Sequence, residues 1–347
     1  MCTAITYAPG AHYFGRNLDL DRSLGETVTI TPRRYPFAFR RAGCLEAHYA
    51  MIGVAHVADG CPLYYDAVNE KGLAMAGLNF PLSANYQAER ADRDNVAPFE
   101  FIPWLLGQCA DLKEARQLLA RVNLIGLPFS DRLPLAPLHW LIADRSGAAA
   151  AEPLREGLSV QDDPAGVLTN EPPFAYQMLR LNDYMQLTRE APRSSFGAGL
   201  ELRPYCLGIG AMGLPGDLSS ASRFVRAAFT RLNSISGPSE AADVSQFFHI
   251  LASVAQARGC ARAEGGGYEI TVYSSCCNLD SGVYYYTTYE NSRITAVDLH
   301  REDLDGTEPV SYPLIREQEI WVQNEEKGAF TPPGAVPPRC VFPPPGR

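Results

Sequence analysis

The chain has 347 residues, enough for one large domain or two ordinary ones. Apolar residues make up 46% of it and charged residues 20%, a balance typical of a globular protein rather than a disordered one. Lys and Arg number 30 against 39 Asp and Glu, so the formal net charge is -9. This acidic balance argues against a main function in binding nucleic acid or an anionic membrane.

Cysteine usage and the start of the chain predict a cytoplasmic protein. Nine cysteines are scattered without a pairing rhythm, which is typical of reduced thiols. The first residues have no basic stretch followed by an apolar one, so the sequence predicts no signal peptide. No apolar run approaches the length of about 18 residues that a membrane-spanning helix needs.

The first third of the chain has the alternation and β-branched content of strands. Residues 27–30 and 49–57 predict two of them. Residues 63–68 and 73–78 flank a turn of composition Asn-Glu-Lys-Gly, which predicts a hairpin. A helix should follow Asp111, because Asp111 and Glu114 have the spacing of a capping pair before an apolar helical face.

The rest of the chain alternates blocks of strands and helices. The patterns predict strands at 138–143, 148–153 and 166–169, helices at 175–187, 220–233 and 240–257, and strands at 268–275, 283–289 and 293–299. This order favours antiparallel sheets covered by helices on their outer faces. We expect one domain over residues 1–325 and a proline-rich, disordered tail over 326–347.

Two apparent motifs predict no ligand site. Residues 208–213 match the dinucleotide-binding fingerprint, but Pro215 stands where a helix should begin and no acidic residue follows at about 20 residues. We interpret them as a glycine-rich loop. The histidines lack metal-binding spacing, and the adjacent Cys276 and Cys277 chelate poorly, so we expect no metal.

Cys2 is the candidate nucleophile. Removal of Met1 is favoured by a small second residue and would give Cys2 a free α-amine. An α-amine has an ordinary pKa of about 7.7–8.0, so part of it is neutral at pH 7 and can take the thiol proton. One residue then supplies both the nucleophile and its base.

Two charged residues lie in an apolar run close behind it. Arg16 and Asp19 need partners if they are buried, and an Arg16–Asp19 ion pair of purely structural value is the competing interpretation. Their opposite parity would point them to opposite faces of a regular strand. We therefore predict that the strand ends or bulges near Leu18.

Short motifs in order along about residues 1–315 extend this picture. They read MCTA at 1–4, FGRNLD at 14–19, NEKGL at 69–73, AGLNFP at 76–81, LHW at 138–140, VLTN at 167–170, GLPGD at 213–217, SRF at 222–224 and YYYTTY at 284–289. The set resembles the choloylglycine hydrolase family, which contains conjugated bile acid hydrolases and penicillin V acylases of the N-terminal-nucleophile superfamily. The resemblance implies an α+β fold, the four-layer αββα sandwich of two antiparallel sheets flanked by helices.

The resemblance also implies a reaction and residue roles. The reaction is hydrolysis of a linear amide through a thioester on Cys2, without a metal or organic cofactor. Asp19 would orient the α-amine, and Arg16 would lie beside the thiol and favour the thiolate. The remaining implied residues are two oxyanion donors and one further electrostatic partner, namely Asn79, Asn170 and Arg223.

The favoured substrates are glycine- or taurine-conjugated bile acids, because the apolar segments near the catalytic strands suit a steroid. The expected pocket residues are Leu20, Ala58, Tyr65, Phe129, Leu135 and Leu138. The alternatives are a penicillin V acylase and a non-catalytic binding protein of the same fold, although a binding protein has no reason to keep all six catalytic residues. The family commonly forms homotetramers, and the loop at 188–206 is the expected contact.

Overall fold

Strands dominate the computed structural model, which describes residues 1–263, 265–322 and 324. In chain order they are β1 (Cys2–Tyr7), β2 (Tyr13–Leu20), β3 (Thr27–Thr31), β4 (Phe37–Phe39), β5 (Gly43–Leu45), β6 (Met51–Ala58), β7 (Cys61–Asn69), β8 (Ala74–Asn79), β9 (Asp94–Val96), β10 (Val122–Leu124), β11 (Leu138–Asp144), β12 (Gly147–Leu154), β13 (Gly157–Asp162), β14 (Val167–Leu168), β15 (Ile270–Asn278), β16 (Val283–Thr288), β17 (Thr295–Asp298) and β18 (Val310–Pro313). The helices are α1 (Phe101–Leu106), α2 (Leu112–Leu119), α3 (Phe174–Arg180), α4 (Ser220–Asn233) and α5 (Glu240–Ala252).

Two large antiparallel sheets face each other. Sheet I has the strand order β14-β1-β2-β15-β16-β17, and sheet II the order β13-β12-β11-β8-β7-β6-β3-β18. Two small sheets pair β4 with β5 and β9 with β10. The catalytic candidates of the N-terminus thus lie in the middle of sheet I, on β1 and β2.

Helices cover both outer faces. α4 and α5 pack on sheet I, and α1 and α2 pack on sheet II. The alternation along β8 shows the layering: Ala74, Ala76 and Leu78 face the core between the sheets, whereas Met75 packs with the residues of α1. The four-layer αββα fold predicted from the sequence is confirmed.

The predicted elements are found, but two helices are shorter than predicted. The helix predicted over 175–187 is α3, which ends at Arg180 and continues as a 3-10 helix to Tyr184. The hairpin is β7–β8, and Asp111 caps α2 by accepting a hydrogen bond from the Glu114 amide at 2.8 Å. The helix predicted over 240–257 ends at Ala252 instead. The chain beyond it bonds to β15, since the Gln256 amide donates to Thr271 Oγ1 at 2.7 Å.

Two further sequence predictions concern the proline-rich tail and membrane-spanning helices. The proline-rich tail at 326–347 lies outside the described residues. Within the described part of the chain, no helix is long and apolar enough to cross a membrane.

Candidate active site

The ladder between β1 and β2 sets Cys2 and Arg16 side by side. Cys2 pairs with Leu18 and Ala4 pairs with Arg16, and residues paired across an antiparallel ladder share a face. Arg16 reaches across to sheet II, so this shared face is the inner one. Both side chains are buried.

Asp19 lies on the opposite face of β2. Its Oδ1 accepts a hydrogen bond from Thr271 Oγ1 at 2.7 Å, on the side where α5 ends. β2 runs unbroken to Leu20, and the irregularity lies in the neighbouring β15, between Thr271 and Tyr273. The predicted end or bulge of β2 near Leu18 is therefore wrong. Arg16 and Asp19 lie on opposite faces of β2, as their parity in a regular strand requires.

Arg16 binds where two strands of sheet II separate. The β7–β8 ladder ends at the pair Asp66–Ala76, and Arg16 Nη1 donates to the carbonyls just beyond it, those of Tyr65 at 2.9 Å and Gly77 at 2.5 Å. Its Nε and Nη2 have no hydrogen-bonding partner among the described residues.

The charge of Arg16 is maintained by its anionic surroundings. Burial lowers the pKa of Arg16, but the negative charges that Cys2, Tyr273 and Asp66 can carry raise it, and the net shift is upward. Arg16 thus stays a cation and interacts electrostatically with Cys2.

Arg223 and Asn170 hold the main chain of Cys2. The Cys2 amide donates to Asn170 Oδ1 at 2.7 Å, and Arg223 Nη2 donates to the same oxygen at 2.7 Å. Arg223 Nη1 also donates to the Cys2 carbonyl at 2.5 Å and to Thr3 Oγ1 at 2.6 Å. Arg223 comes from α4, whose first turn is capped by Ser219.

The side chains of the two predicted oxyanion donors differ in their hydrogen bonding. Asn170 Nδ2 donates to the Asn79 carbonyl at 2.7 Å, so both atoms of the Asn170 amide have partners. The Asn79 side chain is exposed at the end of β8 and has no hydrogen-bonding partner in the described part of the chain. The Asn79 amide is therefore free to donate a hydrogen bond to a bound molecule.

The Asp19 carboxyl has a raised pKa. Burial raises its pKa to about 6, against the lowering effects of Arg223, the chain's α-amine and Thr271. Asp19 Oδ2 is buried without a partner among the described residues. Backbone bonds between Asp19 and Met1 extend the ladder by one residue, at 2.8 and 3.0 Å.

A cavity of about 320 Å³ opens beside the two carbonyls that bind Arg16, where β7 and β8 separate. Its lining is mostly apolar and includes four of the six predicted pocket residues: Tyr65, Phe129, Leu135 and Leu138. Leu20 and Ala58 do not line it. Leu20 pairs with Ile270 at the edge of the core, and Ala58 pairs with Cys61 beside the β6–β7 turn.

Other lining residues come from segments that the sequence analysis did not connect. They are, among others, His56, Leu63, Phe99, Leu127, Leu133 and Trp140. Strand parity could have marked His56 and Leu63, which are opposite each other in the β6–β7 ladder. Phe99 reaches the cavity through tertiary packing, since its ring meets the Phe129 ring edge to face at 5.3 Å.

The cavity and Arg16 share a wall. Tyr65 and Gly77, whose carbonyls bind Arg16, both line the cavity. Trp140 packs closely on Gly77, because a Cβ there would lie 3.1 Å from Trp140 Nε1. No group of three or more His, Cys, Asp or Glu in the described ranges is placed to hold a metal ion.

These features are those of an amide hydrolase with an N-terminal nucleophile. The chain belongs to the choloylglycine hydrolase family of linear amide C–N hydrolases, whose model matches residues 2–312. It is 52% identical over 324 residues to the bile salt hydrolase/transferase of Lactiplantibacillus plantarum, a match that covers 93% of this chain and 100% of that one. The predicted family, fold and amidohydrolase class are confirmed.

Solved structures agree. The C2A mutant of the conjugated bile acid hydrolase from Clostridium perfringens superposes with a TM-score of 0.86 at 34% identity, covering 93% of this chain and 100% of that one. Penicillin V acylase from Agrobacterium tumefaciens gives a TM-score of 0.70 at 19% identity, over 89% and 90% of the two chains. The second likeness shows the shared fold.

Proposed function

We propose that this enzyme hydrolyses the amide bond of glycine- or taurine-conjugated bile acids through a thioester on Cys2. The observation that carries the proposal is the wall shared by Arg16 and the apolar cavity: an acyl group seated there brings its carbonyl carbon towards Cys2. The name of the Lactiplantibacillus plantarum relative, a bile salt hydrolase/transferase, supports the same substrate class.

The reaction has two halves. After Met1 is removed, the Cys2 α-amine takes the thiol proton, and the sulfur attacks the carbonyl carbon of the substrate amide. The C–N bond then breaks, and the proton leaves with glycine or taurine as the free amine. Water attacks the thioester in turn, which releases the bile acid and restores the thiol.

The surrounding residues take distinct roles in this scheme. Asn79 donates to the oxygen on which negative charge develops, and Asp19 Oδ2 accepts a hydrogen bond from the α-amine. Asn170 and Arg223 fix the Cys2 main chain, and Arg16 provides a positive charge beside the sulfur.

The cavity favours a steroid over the phenoxyacetyl group of penicillin V. Apolar contact contributes about 25 cal/mol per Å², so the larger group gains more from the same lining. We expect kcat/KM for glycocholate or taurocholate to exceed that for penicillin V by at least about tenfold, a difference that needs about 1.4 kcal/mol.

A side-by-side assay of the three substrates tests this proposal. Cys2→Ser serves as the matched control, because it keeps the shape of the nucleophile but its hydroxyl proton is much harder to remove. Equal or reversed ratios would move the assignment to the penicillin V acylases. Turnover at the native rate by Cys2→Ser would exclude attack by the sulfur.

A further inference from the structure

The carbonyl that binds Arg16 belongs to a β-bulge. In the β6–β7 ladder Val54 pairs with Asp66 and Ala55 pairs with Tyr64, so Tyr65 is an extra residue on β7. A bulge removes its residue from the ladder and changes the direction in which its groups point. Here it leaves the Tyr65 carbonyl to accept from Arg16 Nη1 at 2.9 Å, and the Tyr65 side chain lines the cavity.

The next residue ties this bulge to the opposite sheet. The buried Asp66 carboxyl accepts hydrogen bonds from the hydroxyls of Tyr273 and Tyr284, each at 2.5 Å, and from Ser275 Oγ at 3.4 Å. All three donors stand on β15 and β16 of sheet I, whereas Asp66 stands on sheet II.

These contacts close a ring through Arg16. The Arg16 amide donates to Ser275 Oγ at 3.2 Å, Ser275 donates to Asp66, and the peptide link leads from Asp66 to the Tyr65 carbonyl that receives Arg16 Nη1. The backbone and the guanidinium of Arg16 are therefore both linked to the Asp66 carboxylate, the first through Ser275 and the second through the Tyr65 carbonyl.

The electrostatic interaction between Asp66 and Arg16 also links these two residues. Burial raises the pKa of Asp66, and Arg16 is the strongest of the groups that oppose this rise, ahead of Tyr273 and Tyr284. Asp66 in turn helps to keep Arg16 charged. Since each of these buried charges stabilises the other, removal of one leaves the other poorly compensated.

We propose that Asp66 is a positioning residue for Arg16: it fixes the bulge at Tyr65 and so holds the guanidinium in place beside Cys2. The inference rests on the proposed roles of Cys2 and Arg16. Asp66 does not line the cavity and acts through Arg16 alone. A purely structural tie between the sheets would affect stability and leave the reactivity of Cys2 unchanged.

Asp66→Asn tests the proposal, with Asp243→Asn as the matched control. Asp243 is also a buried carboxylate that accepts from a tyrosine hydroxyl, that of Tyr13 at 3.1 Å, but it lies on α5, on the other side of sheet I. Two quantities are measured for each variant: kcat and KM with glycocholate, and the rate at which iodoacetamide alkylates Cys2 without substrate, followed on the N-terminal peptide by mass spectrometry.

We expect Asp66→Asn to lower kcat by at least about tenfold with KM within about threefold, because displacement of a catalytic group costs rate more than binding. The alkylation rate of Cys2 should fall with it. Asp243→Asn should lower the melting temperature and leave both readouts unchanged. An alkylation rate and kcat within about twofold of the native values in Asp66→Asn would overturn the proposal, as would equal losses in Asp243→Asn.

Tyr284→Phe keeps the test open if Asp66→Asn does not fold. It removes one donor and keeps the carboxylate, so we expect a smaller loss, of about threefold, in kcat and in alkylation. Unchanged values in this variant would then overturn the proposal. Absence of glycocholate hydrolysis by the native enzyme would instead refute the proposed substrate, and the alkylation comparison would still decide the role of Asp66.

Discussion

Asn79 and Asn170, the two predicted oxyanion donors, differ in burial and in hydrogen bonding. Asn79 is exposed and unpaired among the described residues, whereas Asn170 is buried and bonds to Cys2, Arg223 and the Asn79 carbonyl. We propose that the exposed Asn79 amide donates to the oxygen in the transition state. The buried Asn170 mainly holds the main chain of Cys2 in place.

Alanine substitutions separate these duties. Asn79→Ala should lower kcat by about 10²–10³, the cost of one lost oxyanion donor, and leave the melting temperature unchanged. Asn170→Ala should lower both, because it leaves the Cys2 amide and Arg223 without their shared acceptor. Steady-state kinetics and thermal melts check this, and an unchanged kcat in Asn79→Ala would remove it from the reaction.

Protonation of Asp19 should produce the acid limb of the pH profile of kcat/KM. Burial raises its pKa to about 6, so it is protonated below that pH and cannot accept from the α-amine as a carboxylate. We expect kcat/KM to rise with pH as Asp19 loses its proton, and this limb to vanish, with most of the activity, in Asp19→Asn. A limb at the same pH in Asp19→Asn would assign it to another group.

The same shift has a stability consequence of defined sign. Because the folded pKa of Asp19 lies above its ordinary value of 3.8, its contribution to the free energy of unfolding is largest below that value. The contribution is lost as the pH rises to about 6. Urea unfolding of native enzyme and Asp19→Asn at pH 4 and pH 7 would show this difference, and equal pH dependence in the two would contradict it.

At the scale of elements, close approach of strands in sheet I depends on one glycine. A Cβ at Gly15 on β2 would lie 1.9 Å from the carbonyl oxygen of Ser275 on β15. Backbone cannot yield as a flexible side chain does, so Gly15→Ala should destabilise the fold by about 3 kcal/mol or more. Gly10→Ala is the matched control, since nothing lies within 4 Å of a Cβ there.

Thermal melts of both variants check this expectation. Gly10→Ala should melt at or slightly above the native temperature, because alanine restricts the unfolded chain. Equal melting temperatures for Gly15→Ala and the native enzyme would mean that β2 and β15 can separate at this point.

The elements that the sequence predicted well are those whose signals are local. α4 begins after its cap at Ser219 and spans the predicted 220–233, because capping and apolar spacing both belong to the segment itself. The end of α5 at Ala252 depends on the bond between Gln256 and Thr271, residues that meet only in the folded sheet. The bulge at Tyr65 is likewise fixed from another strand.

The candidate site divides in the same way. The motifs marked all six catalytic candidates, and the structure brings Cys2, Asn170 and Arg223 into direct contact. The sequence could not show that the Asn170 amide bonds to the main chain of Cys2 and Asn79. Nor could it show that the Tyr65 carbonyl accepts a hydrogen bond from Arg16. Both depend on pairing between distant strands, which no local pattern specifies.

At the scale of the whole molecule, the core between sheets I and II is continuous, which supports our proposal of a single domain over residues 1–325. The surface beyond α3 is different. It exposes large apolar side chains that a monomer rarely leaves in water, among them Met185, Phe196, Tyr205 and Leu207.

This apolar surface supports our proposal of a homotetramer in which the loop at 188–206 lies at a contact. Leu207 is fully exposed in the single chain, so a charge there is harmless unless a second copy covers it. We expect the native enzyme to have four times the 38.0 kDa chain mass by light scattering, and Leu207→Glu to shift it to smaller species. A monomeric native enzyme would contradict the proposal.

We propose that the α-amine and thiol of Cys2 form the reactive centre after Met1 is lost. Intact-mass and N-terminal peptide analysis of enzyme quenched during glycocholate turnover tests it most directly. We predict a chain without Met1 and a second species that carries a cholyl group on the Cys2 peptide, absent from Cys2→Ser. Full activity in a population that keeps Met1, or a cholyl group on any other residue, would contradict the account.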